Sequence, residues 1–466
     1  MLIFLTLSVL LTTACGAVYD YGAYDSTRDD FRLGRFPDGF IWSTATASYQ
    51  IEGGWDVDGK GESIWDRFSH TPGKVQRGDT GDVACDSYNK YGEDVQLMTD
   101  LGLKYYRFSL SWPRIFPNGT LAGGVNQDGV NYYNRLIDEL LANGITPMVT
   151  LYHWDLPQAL EEMYGGWLNE EIAEHYHNYA TFAFQTFGDR VKLWLTFNEP
   201  LSFCGGGYLT GQHAPGIQDW TTESSLRCGH TVLKTQNLLE SFEQTSAPEW
   251  PRAESDWLFA VPWGLRRLLK YIKDNYGDPE VYITENGWSD GDVQPPVMED
   301  TGRVCYYMTY IDEVLKAIEK DGVKVRAYTA WSLMDNFEWA RGYTERFGLH
   351  YVNFTDPNRP RTPKQSAKFY SDIIANNGFP EGSEVTKMDL WGEADSVIVQ
   401  DFWVAGWPWD AVRNMRSPVR NHEDHYQALR QLPADAPVPI TILSEMRRLE
   451  FELAEQRRRF REDKQR

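Results

Sequence analysis

Two glutamates, Glu199 and Glu285, stand at the ends of short apolar runs. Val281-Tyr282-Ile283 has the β-branched and aromatic character of a strand, Asn286-Gly287 stops it, and Glu285 falls at its tip. Leu193 to Phe197 repeats the design and then presents Asn198 and Glu199 ahead of Pro200. Two carboxyls at strand tips suit a displacement in which one attacks and the other protonates the leaving oxygen, as cleavage of a glycosidic bond requires. Either glutamate alone reads equally well as the polar close of a strand. The two together, with the residues below, point to chemistry.

The elements that must position them run along the whole chain. Phe40 to Gly54 starts as a strand and ends at Gln50 and Glu52, a pair that reads either as a solvated loop or as a source of a side-chain amide for sugar hydroxyls. Tyr105 to Trp112 is a strand with Arg107 in its middle. A buried arginine requires a carboxylate partner, either in a structural ion pair or at the nucleophile. Thr146 to Trp154 is a strand tipped by His153; a lone histidine is more often a core or surface residue, but this one shares a strand end with the other polar groups. Val325 to Trp339 begins as a strand and ends in a polar, aromatic loop with Trp331, Glu338 and Trp339. Helical spacing over Tyr88–Leu101, Tyr132–Leu141, Glu170–Phe187, Pro262–Tyr276 and Arg303–Lys320 alternates with these strands. Strand–helix alternation with polar groups at strand C-termini is the α/β pattern of a (β/α) barrel, whose active site lies on that face.

Composition narrows the partners. A chain of 466 residues holds one large barrel or a few smaller domains. Its net charge of −22 argues against nucleic acid or an anionic membrane, and its 18 tryptophans suit the flat apolar faces of sugars. No metal-ligand spacing is present, and the chemistry requires no cofactor. Residues 1–16, an apolar run closed by Ala14-Cys15-Gly16, read as a secretory signal, with lipidation of Cys15 as the alternative. A secreted or luminal chain follows, in which Asn118-Gly119-Thr120 and Asn353-Phe354-Thr355 are glycosylation sequons. Four cysteines then remain, which can pair in more than one way; Cys204 and Cys228 flank one loop and are the preferred bridge. No later stretch has the length of a membrane-spanning helix.

The stretches FIWSTATASYQIEGG, TFNEP, ITENG and WSLMDNFEW together resemble family 1 of the glycoside hydrolases, in its lactase-like and klotho-like branch. The resemblance runs from about Phe36 to Phe379 within a barrel domain at 36–384. It implies a (β/α)8 TIM-type barrel and a retaining β-glycosidase acting on β-glucosides or β-galactosides. Residue by residue, it implies Glu285 as nucleophile, Glu199 as acid/base and Arg107 as the residue that orients the nucleophile. Asn198 would bind the sugar 2-hydroxyl, Gln50, His153 and Glu338 the other hydroxyls beside Trp339, and Trp331 would lie beneath the ring.

The pattern breaks in one place. Glu199 and Glu285 are 86 residues apart, and the family sets two further strand–helix units between them. A βαβ unit takes about 30 residues or more. Leu226 to Phe242 reads here as a helix, and Asp256 to Val261 is the one stretch that suits a short strand. The fifth and sixth units are therefore missing or vestigial, so six barrel strands remain, and the family's sixth-strand tyrosine has no counterpart. The strands on either side must pair directly or face a gap. Residues 385–466 are foreign to the family: a Trp-rich stretch, then a charged helix whose stripe (Leu443, Met446, Leu449, Leu453, Phe460) suits helix-mediated contact or no fixed structure. Two further readings stay open: a klotho-like module that binds a glycan or a protein, and a truncated product without function.

Overall fold

The computed structural model describes residues 31–219, 221–236 and 252–383, together with the two-residue strands Thr12–Thr13 and Glu243–Gln244, which pair with each other. Most of the expected leader and all of the 385–466 tail, with its candidate helix, fall outside the described residues.

Six parallel strands carry the fold: β1 Ile41–Ala45, β2 Tyr105–Ser109, β3 Thr146–Tyr152, β4 Leu193–Phe197, β5 Val281–Asn286 and β6 Val325–Trp331. They lie in the order β4-β3-β2-β1-β6-β5, the circular order of a barrel interrupted between β4 and β5. Register aligns their C-terminal ends. Ala45 stands opposite both Arg107 and Trp331, Tyr152 opposite Phe197, and Ala330 opposite Asn286. The inner strands are buried along nearly their whole length, as parallel strands covered on both faces must be. The two end strands differ: Trp194 and Thr196 of β4, and Tyr282 and Glu285 of β5, stay half-buried. Among the described residues, β4 and β5 do not pair with each other. Of the two outcomes expected for these strands, the gap is the one observed, and the fold is an incomplete (β/α)8 barrel.

Helices α1 Ser87–Asp100, α2 Gln127–Ala142, α3 Glu171–Phe187, α4 Pro200–Tyr208, α5 Glu223–Gln236, α6 Pro262–Asn275, α7 Thr301–Glu319 and α8 Gln365–Asn376 surround the sheet. Flanking the gap, α5 packs on α3 and α4, whereas α6 packs on α7. The Cys204–Cys228 bridge is present and joins α4 to α5, with its Cα atoms 5.6 Å apart. No helix among the described residues is long and apolar enough to cross a membrane.

Three sequence expectations need correction. Asp256 to Val261 is not a strand: Leu258 N donates to Ser255 O, Ala253 N donates to Leu258 O, and a lone bridge joins Arg252 to Phe259. These short-range bonds close a turn before Pro262 opens α6. The strand expected to reach Trp112 stops at Ser109, because Pro113 fits the first turn of a short helix, Trp112–Ile115. β3 likewise stops at Tyr152, which leaves His153 and Trp154 in the loop beyond it.

Glu52 faces away from the strand tips. Its carboxylate accepts from Arg114 Nε (2.8 Å) and from the Tyr133 hydroxyl (2.7 Å), and the Arg114 guanidinium lies 4.3 Å from the Tyr88 ring centre. All of this is buried. Replacing Arg114 by Met strands a carboxylate in the core, so Arg114→Met is expected to lower the unfolding free energy by about 3–5 kcal/mol in urea titrations. Replacing Glu52 and Arg114 together should recover much of that loss.

Candidate active site

Arg107 organises the strand tips. It points inward from β2, fully buried, and each nitrogen of its guanidinium has a fixed partner. Nε donates to Thr150 Oγ1 of β3 at 3.0 Å, Nη1 to the Thr284 carbonyl of β5 at 3.0 Å, and Nη2 to Asn198 Oδ1 at 2.8 Å. Nη1 also donates to Glu285 Oε1 in a close ion pair. One side chain therefore touches the tips of β3, β4 and β5. It connects the two strands that flank the gap.

That contact fixes further chemistry. With Asn198 Oδ1 turned to Arg107, its Nδ2 meets His153 Nε2 at 2.9 Å. Since Nδ2 can only donate, Nε2 must accept, which makes His153 a neutral imidazole with its proton on Nδ1. Burial and the Arg107 charge both hold its pKa well below the usual histidine range. His153 Nδ1 has no hydrogen-bond partner among the described residues. It is a buried donor open to a ligand or solvent oxygen.

Gln50 supplies the complementary acceptor. Its Nε2 donates to Asn336 Oδ1 (3.0 Å), the Phe337 carbonyl (2.9 Å) and Glu338 Oε2 (3.4 Å), and its Oε1 is buried without a partner among the described residues. Around these groups stand rings. His153 lies 5.9 Å from Trp331 and 6.0 Å from Trp339, each inclined by 19°, and Trp154 lies 4.6 Å from Trp339. Trp154, Glu199 and Trp339 all have positive φ, at 78°, 43° and 49°. Such conformations of bulky residues persist only where the surroundings over-determine them, commonly at functional sites.

Three other carboxyls act on Glu338. The pKa of Glu338 is pushed well above the usual carboxylate range, first by desolvation and then by the charges of Glu345, Glu285 and Glu199, while the Gln50 amide opposes the shift. Glu199 and Glu285 are thus both within electrostatic reach of one carboxyl. A Glu338 that keeps its proton can donate to a hydroxyl as well as accept.

The loops behind Glu285 and Glu338 are tied to each other. Asp290–Gly291 pairs with Glu345–Arg346, and buried Arg303 of α7 donates to the Trp288 and Arg346 carbonyls while pairing with Asp290 and Asp300. Gly287 is required here: a Cβ on it would lie 2.0 Å from the Trp331 carbonyl oxygen. The Asn286 side chain, next to Glu285, turns to Tyr328 and Tyr306.

Apart from Glu52, whose carboxylate is taken by Arg114 and Tyr133, the residues singled out in the sequence as candidates for chemistry lie at the C-terminal end of the sheet. Missing from that set are Thr150, Asn336 and Trp154. Thr150 was findable, because it stands two residues beyond Met148, the β3 partner of Arg107, on the same face. Asn336 and Trp154 adjoin residues already chosen. Among the described residues, no group of His, Cys, Asp and Glu is arranged to hold a metal ion.

Parallel barrel strands, a functional face at their C-terminal ends and two carboxyls there define the class: a (β/α)-barrel protein with glycosidase architecture. The family follows from comparison. The sequence model of glycosyl hydrolase family 1 matches residues 33–240 and 236–379, and the chain belongs to that family. Human lactase/phlorizin hydrolase is 38% identical over 76% of this chain, which spans about a quarter (24%) of that protein's length. Human cytosolic beta-glucosidase is 38% identical over 74% of this chain and 98% of its own. Its alignment runs over 466 positions yet uses 74% of the residues here, so about a quarter of the aligned length has no counterpart in this chain. The two family matches meet at 236–240, within the interval between Glu199 and Glu285. The solved structure of rice Os3BGlu6 beta-glucosidase in a covalent complex with glucose superposes with a TM-score of 0.67 at 33% identity, covering 73% of this chain and 99% of that one.

The buried state of His153 has a measurable consequence. The unfolded chain protonates this histidine near pH 6.5 and the folded chain does so only at lower pH. His153 therefore costs nothing above about pH 6.5 and destabilises the fold progressively below it, by at most about 1.4 kcal/mol per pH unit. His153→Gln is expected to flatten the fall of unfolding free energy between pH 6.5 and the folded-state pKa, as read from denaturant titrations at a series of pH values.

Proposed function

We propose that this chain is a retaining β-glycosidase that hydrolyses terminal β-D-glucosides and, as a second class, β-galactosides. The observation that carries the reading is the single guanidinium of Arg107, which holds Glu285 and Asn198, the neighbour of Glu199, across the gap in the wall. Glu285 attacks the anomeric carbon as the bond to the glycosidic oxygen breaks, and Glu199 gives its proton to that oxygen. Water then enters, Glu199 takes one of its protons, the new oxygen bonds to the anomeric carbon, and the ester to Glu285 breaks. The charge on one carboxylate disfavours ionisation of the other, which leaves Glu199 the proton it must donate. Arg107 favours the ionised form of Glu285. Asn198, Gln50, His153 and Glu338 bind the sugar hydroxyls beside Trp339, and Trp331 lies beneath the ring. The covalent glucose complex of the rice relative supports the two-step route. We also infer a secreted or luminal, glycosylated protein; the disulfide supports an oxidising compartment, and Asn118 is exposed.

A purified sample should release 4-nitrophenol from its β-glucoside, with the β-anomer of the sugar appearing first by NMR. Glu285→Gln is expected to lower kcat by on the order of 10⁴ or more. Glu199→Gln should lose about 10²–10⁴ on a leaving group that needs a proton and far less on 2,4-dinitrophenolate. First appearance of the α-anomer would rule out retention. Sugar binding without turnover, unchanged in Glu285→Gln, would make the chain a glycan-holding module instead.

A further inference from the structure

Glu199 closely follows β4, an end strand of the open sheet. β4 pairs with β3, and among the described residues no strand lies beyond it. On the inner side Asn198 is held by Arg107 and His153. On the outer side the chain turns at Glu199, with φ 43° and ψ 65°, straight into α4. Phe203 N donates to the Glu199 carbonyl at 3.2 Å, so the first turn of α4 fixes the backbone of this glutamate.

That helix is weak on its own. Gly205, Gly206 and Gly207 follow one another inside it, and glycine is among the poorest helix formers. Two of them are dictated by packing: a Cβ at Gly206 would lie 2.5 Å from His213 Nδ1, and one at Gly207 would lie 2.5 Å from the Ala214 carbonyl oxygen. Immediately before the glycines, buried Cys204 is bonded to buried Cys228 of α5, which in turn packs on α3.

We propose that the Cys204–Cys228 disulfide is a positioning element for Glu199, supplying on the open side of β4 the restraint that the next strand supplies in a closed barrel. The inference rests on the acid/base role proposed for Glu199. A left-handed glutamate relaxes unless its surroundings hold it. With the bond broken, α4 loosens and the carboxyl leaves the leaving-group oxygen, while Glu285 and the sugar contacts stay in place.

The test is the full-length C204S/C228S protein, assayed on two aryl β-glucosides. 2,4-Dinitrophenolate departs without a proton, and phenolate requires one. The expected result is a fall in kcat/KM of at least about tenfold for the phenyl glucoside and within about twofold for the dinitrophenyl glucoside. Amide hydrogen exchange should quicken in residues 200–208 and stay unchanged in 365–376. Equal losses on both substrates, or no loss, would overturn the inference. Release of dinitrophenol by the wild type checks the glycosidase reading separately. If the wild type releases none, that reading fails, and unchanged exchange in 200–208 would overturn the positioning claim by itself. Should the double variant not fold, the native protein is reduced with dithiothreitol, which becomes its cyclic disulfide as the two thiols form. On the reduced protein, a loss confined to the phenyl glucoside supports the positioning role, and equal losses or none overturn it.

Discussion

A buried guanidinium cannot be left without partners, and in this protein the partners of Arg107 are the two ends of an open sheet. In a closed barrel each strand is fixed by ladders on both sides. Here, among the described residues, β4 and β5 each have one ladder, and the hydrogen-bonded route between them runs through all four other strands. Arg107 supplies the direct route. Removing a cation from water costs several kcal/mol, so the fold is stable only if Thr150, Thr284, Glu285 and Asn198 meet its donors. The same contacts set Glu285 beside Asn198, the chain neighbour of Glu199, and fix the tautomer of His153.

Each side of the gap has its own internal fastening. On the β5 side, Arg303 and the Asp290–Gly291 pairing lock the loop after Glu285 to the loop that carries Glu338. On the β4 side, the ladder to β3, the Trp154 indole on the Asn198 carbonyl (3.0 Å) and the α4–α5 disulfide do the equivalent work. The end strands are also short, five residues in β4 and six in β5, which limits the unpaired backbone they present. With both end strands braced and Arg107 between them, the incomplete barrel still gathers Glu285, Asn198 and Thr150 around one guanidinium.

Much of this was legible in the sequence because it is local. Glu199 and Glu285 sit at the ends of apolar runs, Arg107 sits inside one, and a charge in such a place must be answered by another. Shortening was legible because the 86 residues between Glu199 and Glu285 offer one strand-like stretch where the family sets two further strand–helix units. The Cys204–Cys228 pair followed from two cysteines flanking one loop. Misreadings came from competition that composition does not reveal. Asp256 to Val261 has strand-like residues, yet the Ser255–Leu258 bond turns the chain before a ladder can form. Glu52 looked like a neighbour of Gln50, but Arg114, 62 residues away, claims its carboxylate. Arg303 drew no reading beyond opening a helical stretch, because its partners in the 288–292 loop come from the packing of α7.

The pairing of Glu285 with its opposite carboxyl across an open wall is tested most directly by trapping. 2,4-Dinitrophenyl 2-deoxy-2-fluoro-β-glucoside transfers its sugar readily but releases it slowly, so the ester can be located by peptide mass spectrometry. The expected product carries the fluorosugar on Glu285 and regains free carboxylate in water, more slowly in Glu199→Gln. Absence of the adduct, its appearance on another carboxylate, or decay indifferent to Glu199 would contradict a site held together by Arg107.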